Sequence, residues 1–104
     1  MILEVALLNV KEGQQTQFEA DFARAGQYIS AIKGYSSHSL LKCVERENKY
    51  LLLVHWQHLG DHTIGFRQSA QYQEWKKLLH HYYDPFPVVE HYETILENYN
   101  KSNS

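Results

Sequence analysis

One cysteine, two prolines and no long apolar run set the first limits on this 104-residue chain. A lone Cys43 excludes an internal disulfide and a thiolate metal cluster. It falls within LLKCVER, which reads as mid-strand, so the expectation is a small buried hydrophobe and not a reactive thiol. The most apolar stretches, around residues 2–10 and 50–56, are far short of the roughly 20 residues that cross a bilayer. The opening MILEVALLNV has no basic region and carries Glu4, which argues against a signal peptide and makes the cytoplasm the expected compartment. Net charge is −2 and the ten basic residues are scattered, so the basic stripe that a nucleic acid requires is missing. No GxGxxG, P-loop or Ser/His/Asp arrangement supports dinucleotide, phosphate or hydrolytic chemistry.

What is present suits one folded domain. Apolar residues make up 43% and charged residues 21%, which is too apolar for an intrinsically disordered chain. Residues 1–96 are expected to form that domain, and the polar end ENYNKSNS predicts a flexible tail over 97–104.

The hydrophobic period changes along the chain in the order β, α, β, β, α, β. ILEVALLNV reads as a strand apolar on both faces, which needs cover on two sides. Phe18, Phe22, Ala25, Ile29 and Ile32 then form one helical stripe within 14–33, and Gly34 stands where a helix end favours positive φ. Residues 35–46 and 49–57 read as a hairpin turning near Glu47 and Asn48, its second strand central and its first an edge. After a loop and short helix, Ser69 suits an N-cap, and Tyr72, Trp75, Leu79 and Tyr82 form an aromatic-rich stripe. Asp84 and Pro85 stop that helix, and Pro87 leads into a fourth strand reaching about Leu96. Right-handed crossovers place both helices on one face of a four-stranded antiparallel sheet, a ferredoxin-like α+β sandwich. The opposite face, apolar on strands 1 and 3, predicts a homodimer packed sheet against sheet.

The stretch from Trp56 to Tyr92 holds both tryptophans, both prolines and five of the seven histidines, so a site is expected there. Overlapping it, LLLVHWQ…DHTIGFRQSAQYQEWKKLLHHYYDPFPVVEHYE resembles the antibiotic biosynthesis monooxygenase domain family of dimeric α/β-barrel proteins. Trp56, then Asp61 and His62, Ser69, Tyr72 and Trp75, then Pro87 and Val88 carry the likeness, which spans residues 1 to about 96. The resemblance implies a homodimer. It also implies one of several activities: cofactor-independent oxidation of quinols or phenols by O₂, haem degradation, or isomerisation of a sugar derivative. The haem-degrading members carry Asn, Trp and His where this chain has Ala6, Phe66 and Lys76, which argues against that branch. Histidines common in other members fall here on Phe66 and Gln71.

The candidates follow from chemistry and family position together. His62 is the expected catalytic residue, because an imidazole near neutral pH can assist removal of a phenolic proton; packing or capping of the short helix is the other reading. Tyr72, Trp75 and Phe66 would stack on a flat ring, although the same stripe is what any core helix presents to a sheet, and Trp56 reads as core. Asn9 could orient a substrate carbonyl or merely end its strand. His38 could complete the pocket or face solvent or an interface. No metal is expected, since neither His58/His62 nor His80/His81 has a third ligand at sensible spacing. The expected function is cofactor-independent oxidation of a small aromatic, phenolic or quinol-like compound by O₂. The alternative is a non-catalytic small-molecule-binding or stress-response protein of the same fold.

Overall fold

A computed structural model describes residues 1–100; the last four residues of the expected 97–104 tail lie outside the described residues. The strands are β1 (Ile2–Asn9), β2 (Tyr35–Lys42), β3 (Lys49–Trp56) and β4 (Val89–Tyr92). The helices are α1 (Gln15–Ile29) and α2 (Ala70–Leu79), with a short π-type helical segment at Asp61–Phe66 and a 3-10 turn at His80–Tyr82. The strands form one antiparallel sheet in the order β2-β3-β1-β4, and both helices cover the same face. This is the ferredoxin-like α+β arrangement read from the sequence, with β3 inside the sheet and β2 at an edge.

Side-chain parity decides what each strand contributes. On β1, Glu4, Ala6 and Leu8 point toward the helices and are buried, as are Tyr50, Leu52, Val54 and Trp56 on β3. Phe18, Phe22, Ala25 and Ile29 of α1 and Trp75 and Leu79 of α2 close over them. Phe18 is the aromatic hub, with Phe22, Tyr50, Tyr82 and Tyr83 rings 4.9–6.0 Å from its centroid. The hydroxyls of Tyr50 and Tyr82 reach out of this core to the carboxylates of Glu19 and Asp21, which lets two large rings be buried without stranding a polar atom.

Four boundaries differ from the sequence reading. The second long helix, expected to run to Asp84, ends as α2 at Leu79 and passes into the 3-10 turn His80–Tyr82. α1 ends at Ile29, and Ile32 packs on the core from the turn that follows. β2 ends at Lys42, where its ladder closes through the Cys43 N–H donating to the Lys49 carbonyl at 2.9 Å; Cys43 is therefore a half-buried loop residue and not a mid-strand one. β4 ends at Tyr92, short of Leu96, because its only neighbour is β1 and Tyr92 already pairs with Leu3.

Ser69 caps α2 as expected, its hydroxyl oxygen accepting from the Tyr72 N–H at 3.1 Å. Gly34, at φ +90°, does more than end a turn: a Cβ there would sit 2.0 Å from Asp61 Oδ2 and 2.8 Å from Asp61 Cβ. Asp61 in turn accepts from the His58 N–H at 2.9 Å and opens the segment that carries His62. Gly34→Ala is therefore expected to cost about 1–3 kcal/mol, through the left-handed backbone and the displaced Asp61. Urea denaturation checks it, with an unchanged midpoint counting against the close approach.

Candidate active site

The helix-covered sheet face, α2 and the segment after it enclose a cavity of about 300 Å³. Ala6, Leu8, Leu52 and Val89 of the sheet line one side, and Phe66, Tyr72 and Trp75 line another. The Phe66 ring meets Tyr72 at 5.1 Å and 78° and Trp75 at 5.6 Å and 80°, both in the favoured edge-to-face arrangement. His80, Tyr83 and Phe86 form a second aromatic group at the rim, beside Pro87, with His80 and Phe86 centroids 5.0 Å apart. The volume lies near the lower end for small-molecule pockets, which run from about 300 Å³ upward. It suits a compact flat compound.

Two titratable side chains end the cavity. Glu4 is 5% exposed and His62 is 3% exposed. Glu4 Oε1 accepts a hydrogen bond from Trp56 Nε1 at 3.0 Å and lies 3.4 Å from His62 Nε2. On its other side, His62 Nδ1 lies 2.7 Å from Nε2 of His91 and shares a proton with it. The His62 ring stacks on Trp56 with centroids 5.5 Å apart and planes 20° apart. Glu4 and His91 come together because they are register partners across β1 and β4, on inward-facing positions of both strands.

The electrostatics separate the two groups. Burial pushes the Glu4 carboxyl above its usual range, opposed by the Trp56 N–H and by the Arg67 charge. Burial pushes the His62 imidazole down to about 3, helped by positive charge at Arg67 and at His91. His62 is thus a neutral imidazole at physiological pH, able to pass a proton on but poor at keeping one. The Glu4 carboxylate is the stronger base of the pair. The Arg67 guanidinium lines the cavity beside them without a hydrogen bond or ion pair to any described residue.

Of the residues read from the sequence as site candidates, the fold brings His62, Phe66, Tyr72 and Trp75 to this cavity. Asn9 and His38 lie elsewhere. Asn9 ends β1 opposite Lys49, and its carbonyl accepts from the Asp84 N–H at 2.9 Å. His38 faces the helix layer but sits against Phe22 and the Tyr35 hydroxyl under α1. His58, four residues before His62, is turned outward and pairs with Asp61. Sequence reasoning missed Glu4, Arg67, His80, Tyr83, Phe86 and His91. A charged residue in phase with Ala6, Leu8 and Val10 on an otherwise apolar strand was the available signal for Glu4.

Comparison with known proteins matches this architecture. The family model described as antibiotic biosynthesis monooxygenase matches residues 1–78. The uncharacterized protein YczJ of Bacillus subtilis (strain 168) is 55% identical over 95 residues, covering 91% of this chain and all of that protein. A Bordetella bronchiseptica crystal structure assigned to the antibiotic biosynthesis monooxygenases superposes with a TM-score of 0.88 at 34% identity, covering 91% of this chain and 97% of that one. The cofactor-independent oxygenase SnoaB of Streptomyces nogalater shares the fold at a TM-score of 0.70 and 20% identity, over 92% of this chain and 97% of its own. With the family model covering most of its length and a relative this similar along the whole of its own, the chain belongs to the antibiotic biosynthesis monooxygenase family.

Proposed function

We propose that the protein is a cytoplasmic, homodimeric, cofactor-independent monooxygenase that oxidises a small aromatic, phenolic or quinol-like compound with O₂. The observation that carries this reading is the aromatic-walled cavity ending on a buried carboxyl and imidazole. Phe66, Tyr72 and Trp75 hold the flat ring. His62 assists removal of the proton whose loss makes the substrate an electron-rich anion, and that anion reduces O₂ itself. With anthrone, the ring CH₂ becomes C=O and the second oxygen atom leaves as water, so no external reductant is required. The shared fold of SnoaB, a cofactor-independent oxygenase, supports the reaction class.

The test is oxygen uptake with anthrone and 1,4-dihydroxynaphthalene. The wild type is expected to consume one O₂ for each anthrone, and His62→Gln to lower the rate by roughly 100-fold, the lower range for positioned acid–base groups. Uptake unchanged by His62→Gln would count against the mechanism. A compound that raises the melting temperature, stays unaltered and consumes no O₂ would identify the binding or stress-response protein instead, a reading that Phe66 and Gln71 at the family's histidine positions favour.

The homodimer rests on the uncovered sheet face. Leu3, Val5, Leu51 and Leu53 lie there half-buried, and Leu7 and Leu41 lie exposed, while the helices cover only the opposite side. Leu53 is central to this face, paired with Val5 on one side and Ser39 on the other. Leu53→Asp is expected to convert a dimer into a folded monomer in sedimentation velocity. A wild type sedimenting as a single copy would contradict the assembly.

A further inference from the structure

We infer that Glu4 is the group that takes the substrate's proton, and that His62 and His91 form a relay carrying it out of the cavity. This deepens the reading proposed above and rests on it for the identity of the proton donor.

Three groups stand in sequence, Glu4 and His62 at ion-pair distance and His62 and His91 joined by a hydrogen bond. Glu4 Oε1 is held by the Trp56 N–H at 3.0 Å and faces His62 Nε2 at 3.4 Å, and His62 Nδ1 faces His91 Nε2 at 2.7 Å. No described residue donates to Glu4 Oε2, and Glu4 lines the cavity, so that oxygen is open to a ligand. Glu4 and His62 are buried, whereas His91 is partly exposed on the edge strand β4. The line therefore runs from the closed end of the cavity to the outside.

A neutral His62 carries one ring proton, and the line is satisfied in either of two arrangements. With Glu4 ionised, His62 turns its Nε2–H toward the Glu4 carboxylate and accepts at Nδ1 from His91. With Glu4 protonated, Glu4 donates to His62 Nε2, and His62 donates from Nδ1 to His91. Proton transfer along the line converts the second arrangement into the first. In the reaction, the substrate O–H (or the CH of anthrone) breaks with its electron pair left on the substrate, and a new O–H forms at Glu4. With Glu4 protonated the line turns from the first arrangement to the second, each imidazole shifting its proton to its other nitrogen; the Glu4 proton then moves to His62 Nε2 as the Nδ1 proton moves to His91 Nε2, and His91 releases one from Nδ1 to water, which restores the first arrangement. No electron leaves the substrate in these steps, so nothing need be oxidised or reduced. The other charged or titratable groups facing the line are Arg67, just after the short helical segment, and, around the same cavity, His80 and Tyr83. Arg67 favours the ionised carboxyl and, after transfer, the substrate anion.

Two measurements test it. In ¹⁵N spectra of the imidazoles, lowering the pH is expected to move the His62 ring proton from Nε2 to Nδ1 in the wild type, together with a change at His91. Glu4→Gln should abolish the His62 step and leave the fold intact. A His62 tautomer constant with pH in the wild type, or switching equally in Glu4→Gln, would overturn the relay even if the enzyme consumes oxygen. In oxygen uptake with anthrone, Glu4→Gln is expected to lower kcat by roughly 100-fold with little change in KM. His91→Gln should lower it about 10-fold, with added imidazole restoring most of the loss, since a small base can stand in for a relay group. A His91→Gln deficit that imidazole does not restore would overturn the outward path. Should the wild type take up no oxygen with either probe, the monooxygenase reading fails, and the spectra still decide the relay.

Discussion

Trp56→Ala is expected to be among the most destabilising single substitutions in this protein. Trp56 is fully buried, stacks on His62 and donates to Glu4. Truncating a buried tryptophan costs about 3–5 kcal/mol through lost contacts and the cavity left behind. Removing the indole N–H that donates to the buried Glu4 carboxylate adds about 1–3 kcal/mol. Against a typical domain stability of about 5–15 kcal/mol, the variant should be partly or wholly unfolded at 37 °C. Trp56→Phe separates the two contributions, because it keeps most of the ring and loses the N–H. Its deficit should be largest at neutral pH and shrink on acidification, since a protonated Glu4 no longer needs the donor. A wild-type urea midpoint for Trp56→Ala would show that the indole does not hold the site together.

Acidification should destabilise the protein from about pH 6.5 downward, with His62 as a principal cause. Unfolded, its imidazole takes a proton near 6.5; folded, only near 3. Between those values the unfolded chain binds a proton that the folded chain does not, so lowering the pH favours unfolding. Each pH unit in this window costs about 1.4 kcal/mol per such group, or about 2–3 kcal/mol between pH 6.5 and 4.5. Burial also lowers His38, His80 and His91, and these act in the same direction. Glu4 opposes them: its raised carboxyl binds a proton more tightly when folded, so its penalty at neutral pH is relieved as the pH falls toward 4.5. The His62 share is isolated by comparing wild type with His62→Gln at pH 7 and pH 4.5. Relative to the wild type, the variant should gain about 2–3 kcal/mol on acidification. Parallel pH profiles for the two would mean that His62 is protonated in the folded protein.

The fold was legible because its signals are local. The α1 stripe of Phe18, Phe22, Ala25 and Ile29, the Ser69 cap and the two-faced apolar strands each follow from spacing over a few residues. The cavity was half legible for the same reason: His62, Phe66, Tyr72 and Trp75 lie within fourteen consecutive positions around one cap. What spacing could not supply was strand register. Glu4 and His91 are 87 positions apart in the chain, and they meet only because β4 pairs with β1 in one particular alignment. Register also removed one candidate. Shifting the β2 pairing between Tyr35 and Ser37 sets His38 opposite Val54 beneath α1, and places His55 on the other face, near Ser37. The β4 boundary failed likewise, since its end is set by how much of β1 remains to pair with and not by its own composition.

The most direct test of the site is a crystal structure of the protein with 1,4-dihydroxynaphthalene, grown without oxygen. The rings are expected to lie among Phe66, Tyr72 and Trp75, with one hydroxyl within hydrogen-bonding distance of Glu4 Oε2. A quinol bound elsewhere, or turned so that neither hydroxyl reaches Glu4 or His62, would contradict the assignment of this cavity as the place where the substrate loses its proton.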